Sequence, residues 1–396
     1  MKFTWANPTR IIFGVGEIAR LGEEASQIGS HALIVTGKSS TRKSGLLDRV
    51  MGLLKEKSVK STVFDEIEPN PRTTTIDRGA EIAHSKGCDF VIGLGGGSPM
   101  DAAKGIALAA VNEGPFWDYV YHGEGKTFRQ ATKALPIVAV PTLAATGSEA
   151  DSGGVFTNWE THEKAGAFGP VLFPKFAIVD PELTVSVSLE YTGDGGIDII
   201  SHVLESYCSS TAVTPLQDRF SEGVIRTVMQ FLGRAMKDGG DIEARTHLSW
   251  ASTIALCGLV NAGRVGGFPL HAMEHALSGY YDISHGRGLA ILMPRLMRYT
   301  AEETPGKYVL LARNLFFADV SSMTPADAAN LGIDKFVEWL ESVNMSLRLS
   351  DVGIGSEKIE AMADDTVRIY GRGRDYIDNA RTLYREDIVK IYEMSL

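Results

Sequence analysis

The chain changes character near residue 185, and no other feature constrains its fold as much. Before that point short β-branched runs alternate with amphipathic stretches. Strands are expected at Arg10–Phe13, Ala32–Thr36, Ser61–Phe64, Phe90–Leu94, Pro136–Val140 and Phe176–Val179, with helical patterns around Gly45–Lys57 and Thr74–Lys86. Each strand is a nearly continuous apolar run, the mark of strands buried on both faces of a parallel sheet. A doubly wound, mostly parallel α/β unit is therefore expected. After about Glu182 the strand signal stops. Asp198–Cys208, Pro215–Met236, Ile242–Val260, Leu270–Tyr280, Gly288–Thr300, Tyr308–Phe317, Pro325–Val343 and Glu357–Tyr370 read as an all-α unit. The 396 residues exceed what one hydrophobic core of ~250–300 residues accommodates. Two domains are expected, 1–184 and 185–396, with no long linker and a shared cleft suited to small molecules.

An apolar share of 44% and a charged share of 22% exclude bulk disorder. The net charge of −10 argues against a nucleic-acid partner. No apolar run reaches the ~18–20 residues of a membrane span, and Met1–Pro8 has no apolar segment of a secretory signal. Cys88, Cys208 and Cys257 are odd in number and form no CxxC pair, which fits reduced core thiols in a cytoplasmic protein.

The run Phe90-Val91-Ile92-Gly93-Leu94-Gly95-Gly96-Gly97-Ser98-Pro99-Met100-Asp101 takes a buried strand through three glycines into a helix. Glycine lets the backbone approach a pyrophosphate, and the free N–H groups of a helix start attract the anion. Ser98 is expected to cap that helix. A plain strand–turn–helix corner needs one glycine, so three favour a dinucleotide. Two similar patterns fail. Gly14-Val15-Gly16-Glu17-Ile18-Ala19 lacks the acidic residue expected ~20 positions on, because Val35–Ser40 contains no carboxylate. Gly37-Lys38-Ser39 ends like a phosphate-binding P-loop, but Ala32 replaces the glycine required five residues earlier. The loop after the second strand lies near an adenosine ribose in a doubly wound sheet. Gly37, Ser39, Ser40, Arg42 and Lys43 there favour NADP(H) over NAD(H). Pro141–Glu149 has the small and hydroxyl residues of a loop pressed against a cofactor.

Asp198 and His202 lie four apart on a helix, so both project from one side. His271 and His275 repeat that spacing, and His285 follows the turn Asp282-Ile283-Ser284. This oxygen and nitrogen set suits Fe²⁺ or Zn²⁺. A competing reading takes His271-Ala272-Met273-Glu274-His275 as the H-x-x-E-H motif of zinc peptidases, with Glu274 as base and Glu341 as a later ligand. It leaves Asp198, His202 and the glycine run unexplained.

Leu94–Lys104, Pro141–Glu149, Gly196–His202 and His271–Gly286, in this order, strongly resemble the iron-containing (group III) alcohol dehydrogenase family. The resemblance runs from Thr9–Gly14 to the helical C-terminus. Glu274–Ser278, Tyr281–Gly286 and Gln217–Phe220 are most similar to its NADPH-dependent butanol dehydrogenase branch. The resemblance implies metal ligands at Asp198, His202, His271 and His285, and a catalytic, non-ligand histidine at His275. It implies cofactor contacts at Gly95, Gly96, Gly97, Ser98, Asp101, Thr142, Leu143, Thr146, Ser148, Lys164 and Asn70, the last near the adenosine ribose. Many NAD-using members carry aspartate where this chain has Gly37. The resemblance also implies a homodimer.

The resulting expectation is an enzyme moving hydride between NADP(H) and a small to medium, uncharged alcohol or aldehyde, with one Fe²⁺ or Zn²⁺. Apolar Ala272, Met273, Leu277, Tyr280 and Tyr281 are read as the reason for an uncharged substrate. A same-fold polyol-phosphate dehydrogenase or dehydroquinate-synthase-like lyase would need cations in the cleft. Asp218, Arg219 and Glu222 are expected as a helix-surface ion network, Trp250 and Trp339 as core or helix contacts, Asp180-Pro181 as a strand end, and Gly371–Arg374 as a flexible solvated loop.

Overall fold

A computed structural model describes all residues, 1–396. Six strands, β1 (Arg10–Phe13), β2 (His31–Gly37), β3 (Lys60–Ile67), β4 (Phe90–Gly95), β5 (Ile137–Pro141) and β8 (Phe176–Val179), form one sheet. Their order is β1-β8-β5-β4-β2-β3, and every neighbouring pair is parallel. The apolar runs predicted these strands because β4, β5 and β8 are buried at every residue. Helices α1 (Leu21–Ser26), α2 (Ser40–Lys43), α3 (Leu46–Glu56), α4 (Thr73–Lys86) and α5 (Gly97–Ala109) connect and cover them. The chain moves from β2 outward to β3, then returns to place β4 on the other side of β2. That reversal opens a crevice at the carboxyl ends of β2 and β4, the place where doubly wound sheets bind ligands.

The hairpin β6 (Gly153–Asn158) and β7 (Glu163–Phe168) was not anticipated. Three of its glycines, Gly153, Gly154 and Gly166, dilute the β-branched signal. They are there because a Cβ would meet Phe168, Asp101 and Phe168 at 2.0, 2.9 and 2.2 Å.

From Leu189 onward the chain is helical: α6 (Leu189–Ser209), α7 (Pro215–Lys237), α8 (Ile242–Leu256), α9 (Pro269–Tyr281), α10 (His285–Ala301), α11 (Gly306–Leu310), α12 (Pro325–Ser342), α13 (Ile359–Tyr370) and α14 (Arg385–Glu393). A two-stranded ribbon, β9 (Tyr376–Ile377) with β10 (Leu383–Tyr384), is the one departure from all-α. Fifty buried residues from this half of the chain form a single core. No helix is long and apolar enough to cross a membrane.

Several expectations change in three dimensions. Asp218 and Glu222 do not sit on a helix surface; both are buried. Arg264 and Lys307 neutralise Asp218, while Glu222 accepts from the Tyr207 hydroxyl and pairs with the exposed Arg219, the one part of the expected network that is present. Asp180 is more than a strand end. Its carboxylate accepts from the N–H groups of Gly16, Ile18 and Glu182, each at 3.1 Å. The glycine pattern at Gly14–Ala19 thus binds the protein's own anion. Trp250 meets Phe13 edge-on at 5.1 Å, and Trp339 packs beside Phe336. Gly371 closes a tight turn rather than a loose loop, since a Cβ there would meet two carbonyl oxygens at 2.5 Å. Cys88, Cys208 and Cys257 are free thiols.

Candidate active site

The glycine run crosses from β4 into α5 at the crevice. Gly95 has φ +152°, which side-chain-bearing residues rarely adopt. Thr142 donates its N–H to Gly95 O at 2.8 Å, and a Cβ on Gly97 would lie 2.4 Å from Thr146 Cγ2. Part of the glycine requirement is therefore the close approach of two loops. Ser98 does not cap α5. The N-cap is Gly96, and no side chain bonds the first turn. That leaves the helix's leading N–H groups available to an anion.

Asp101 and Ser148 brace these loops. Ser148 Oγ donates to Asp101 Oδ1 at 2.6 Å, and Val155 N donates to Asp101 Oδ2 at 2.9 Å. Burial pushes the Asp101 carboxyl up to about 6, against the pull of Lys104. Sequence reasoning missed Lys104. It is wholly buried, pairs with Asp151, and donates to Ser148 O and Gly153 O, both at 2.7 Å. Behind Leu143, Ala145 N donates to Ser252 Oγ of α8 at 3.0 Å.

Gly37 is half-buried at the end of β2, and Ser39, Ser40 and Lys43 are exposed beyond it. Sequence alone showed no carboxylate in this region, but the register pairs Gly37 with Ile67 and so brings Asp65, Glu66 and Glu68 alongside. They share a cavity of about 460 Å³ with Lys38, Arg72, Arg78 and Trp159. Arg42 pairs with Asp65 at 2.5 Å and Arg78 with Glu66 at 2.8 Å.

Across the crevice, α6 carries Asp198 and His202 on one side, one turn apart. It reaches the Thr142–Ser148 loop through Gly195, where a Cβ would meet Ala144 O at 2.4 Å. His271 comes from the first turn of α9, and His285 opens α10. Asp194 of α6 pins that opening by accepting from Ser284 Oγ at 2.6 Å. Asp198 Oδ1 lies 3.6 Å from His202 Nε2 and 3.7 Å from His285 Nε2. The rings of His202 and His271 stack at 4.8 Å. Donor atoms of Asp198, His202 and His271 all lie within 4.8 Å of one another.

Asp198 Oδ1 and His271 Nε2 are buried and have no hydrogen-bond partner. Unpaired buried acceptors are costly. A divalent cation among them removes that cost, so these residues fit a metal. Burial pushes the Asp198 carboxyl up, opposed by His285 and His271, and drives His202 well down.

Glu274 is not free to serve as a peptidase base. It is wholly buried, bonded to His285 Nδ1 and Ser278 Oγ, and paired with Lys164 at 3.3 Å. Burial alone would raise it, but His285 and Lys164 hold it well below the usual carboxylate range. Glu341 is exposed on α12 and outside the cluster. His275 lies beside the ligand group, 5.5 Å from the His285 ring, with its Nδ1 bonded to Tyr370 Oη. Burial and Lys164 lower its pKa well below the ordinary value, so it is neutral at pH 7. Asn70 bonds Asp282 Oδ1 at 2.9 Å and Ile283 O at 3.3 Å, joining the two halves of the molecule.

Ala272, Met273 and Leu277 belong to the helical core, because the opposite side of α9 is taken by His271, Glu274, His275 and Ser278. Sequence reasoning also missed Glu205 and Tyr370. Glu205 had a signal: Asp198, His202 and Glu205 are spaced i, i+4, i+7 on one helix side. Tyr370 had none, since its contact spans 95 positions.

A dinucleotide-type sheet facing a buried carboxylate–imidazole cluster brings together the parts a metal-assisted nicotinamide enzyme requires. Residues 8–181 match the family model "Iron-containing alcohol dehydrogenase", and residues 192–396 match "Fe-containing alcohol dehydrogenase family, C-terminal". NADH-dependent butanol dehydrogenase B of Clostridium acetobutylicum is 39% identical over 398 residues, covering 100% of both chains. NADPH-dependent aldehyde reductase YqhD of Escherichia coli is 31% identical over 364 residues, covering 91% of this chain and 92% of that one. The crystal structure of NADH-dependent butanol dehydrogenase A from Thermotoga maritima superposes with a TM-score of 0.93 at 34% identity, covering 100% of this chain and 98% of that one. The chain belongs to the iron-containing alcohol dehydrogenase family. It is an alcohol dehydrogenase of a family that uses a nicotinamide cofactor and an iron ion. The cofactors named for these relatives differ, NADH for the two butanol dehydrogenases and NADPH for the aldehyde reductase.

Proposed function

We propose that this enzyme interconverts a small to medium, uncharged primary alcohol and its aldehyde, with NADP(H) as preferred cofactor. The observation that carries the reading is the convergence of Asp198, His202 and His271, with His285 Nε2 3.7 Å from Asp198 Oδ1, beside the loop Thr142–Ser148. Those four residues would hold the ion, iron by family membership, although zinc competes for the same donors. When bound, the ion acts as a Lewis acid on the substrate oxygen and the nicotinamide exchanges the hydride.

The chain's own contribution is placement. Gly96, Gly97 and Ser98 offer backbone N–H groups to the pyrophosphate, and Asp101, Thr142, Leu143, Thr146, Ser148 and Lys164 line the way toward the nicotinamide. Asn70 takes the adenosine side. His275, neutral and oriented by Tyr370, relays the proton toward water. For the 2′-phosphate, Lys38 and Lys43 are the free cations near Gly37; Asp65 and Glu66 are each neutralised by an arginine, while Glu68 accepts from Arg72 N and Thr75 Oγ1 and keeps its charge without a cation partner. An uncharged substrate is supported by Lys164, the cation beside the ligands, being committed to Glu274. Phe268, with its ring 5.8 Å from His271, offers apolar surface at the rim. Residues 1–184 then form the cofactor unit and 185–396 the metal and substrate unit. The free cysteines support a reducing, cytoplasmic setting, and the family resemblance supports a homodimer.

The test is a matrix of NADPH and NADH against aldehydes from ethanal to octanal. It uses apo protein and protein reloaded with Fe²⁺ or Zn²⁺. Cofactor oxidation is expected only after reloading, with higher kcat/KM for NADPH. No oxidation with any aldehyde contradicts the activity, and equal kcat/KM contradicts the cofactor preference.

A further inference from the structure

Two of the four ligand side chains have a carboxylate behind them. Glu205, on α6 one turn beyond His202, is buried, and its Oε2 bonds His271 Nδ1. Its Oε1 accepts from the backbone N–H of Leu270 and from that of His271 at 3.2 Å. Glu274 stands in the same relation to His285 Nδ1. His202, in contrast, has a buried Nδ1 with no partner.

We propose that Glu205 is the positioning residue of the metal centre. By accepting a hydrogen bond from His271 Nδ1–H, it holds the ring proton there and leaves the lone pair of His271 Nε2 facing Asp198 and His202. Resting on the ligand set proposed above, this makes α6 the source of two ligands and the anchor of a third. The backbone bonds matter as much as the charge. Both N–H groups at the start of α9 need an acceptor, and Glu205 Oε1 supplies it while Oε2 remains for the imidazole. A glutamine has one acceptor oxygen. With that oxygen on the two N–H groups, its amide faces His271 Nδ1 and donates to it. The ring proton then moves to Nε2, where it blocks coordination. Carboxylates behind metal-bound histidines typically change affinity by ~10–100-fold.

The experiment measures Zn²⁺ affinity by competition with a chromophoric chelator for wild type, Glu205→Gln and His271→Ala. The melting temperature of each apo protein is recorded alongside. Glu205→Gln is expected to bind at least about tenfold more weakly, with an apo melting temperature close to that of wild type. Unchanged affinity in Glu205→Gln alongside a large loss in His271→Ala overturns the role of Glu205. Unchanged affinity in both variants overturns the ligand set instead. A second measurement does not depend on the variant's folding. Wild-type protein loaded with Co²⁺ should show hyperfine-shifted, exchange-protected ring N–H signals for His271 and His285. Absence of a protected His271 signal overturns the proposal.

Discussion

Gly37 carries the most isolated single choice in the molecule. A Cβ built there would meet nothing nearer than Ile67 O, at 3.7 Å, and its φ is not one that demands glycine. Packing therefore does not require this glycine, and Gly37→Asp should fold normally. Its carboxylate would repel a 2′-phosphate and accept from ribose hydroxyls. The ratio of kcat/KM for NADPH to that for NADH is expected to fall at least about tenfold, about 1.4 kcal/mol. An unchanged ratio would show that the cofactor choice is made elsewhere. Gly97 is the opposite case, because Thr146 already fills the space a side chain would need. The two glycines read alike in the sequence, and only the neighbouring loop distinguishes them. The same holds for Glu274, whose place in an H-x-x-E-H string made it a possible base. Its actual partners, His285 and Lys164, lie 11 and 110 positions away.

At the scale of elements, the tip of the β6–β7 hairpin reaches the end of α9, immediately before the turn that presents His285. His162 stacks on Tyr280 at 5.3 Å, and its Nδ1 meets Gly279 O at 3.2 Å. Arg72 lies 4.1 Å from the Trp159 ring and pairs with Asp282 at 2.6 Å. The contact is close enough that a Cβ on Gly279 would lie 2.2 Å from His162 O. Gly279→Ala must therefore lift the hairpin tip, at a cost of about 1–3 kcal/mol. Hydrogen exchange should quicken in residues 159–163 and 282–285 together. Faster exchange in α9 alone would mean that the hairpin does not brace the turn. None of this was legible in the chain, because the hairpin's glycines hid both strands. The six sheet strands were legible because burial on both faces demands continuous apolar runs. α14 was missed because its short amphipathic pattern, Arg385–Glu393, is crowded by charge.

Across the whole molecule, the break near residue 185 separates two kinds of chemistry. In the proposed function, backbone groups at the carboxyl ends of β2 and β4 would receive the anionic cofactor, and side chains of α6, α9 and α10 would hold the cation. The Asp198/His202 pair was readable from its i,i+4 spacing because one helix turns that interval into a shared side, whereas the choice of His271 and His285 over His275 came from the family resemblance, since those two stand on different helices. The carboxylates behind the ligands and the Tyr370–His275 bond were not readable, since they depend on how helices cross. The central claim is that these four side chains, and not the neighbouring Glu274 and His275, hold one metal ion. Anomalous X-ray scattering at the iron edge from crystals of Fe²⁺-loaded protein tests it most directly. A single peak ligated by Asp198, His202, His271 and His285 is expected. A peak ligated by Glu274 or His275, or none at these residues in protein shown to contain iron, would contradict it.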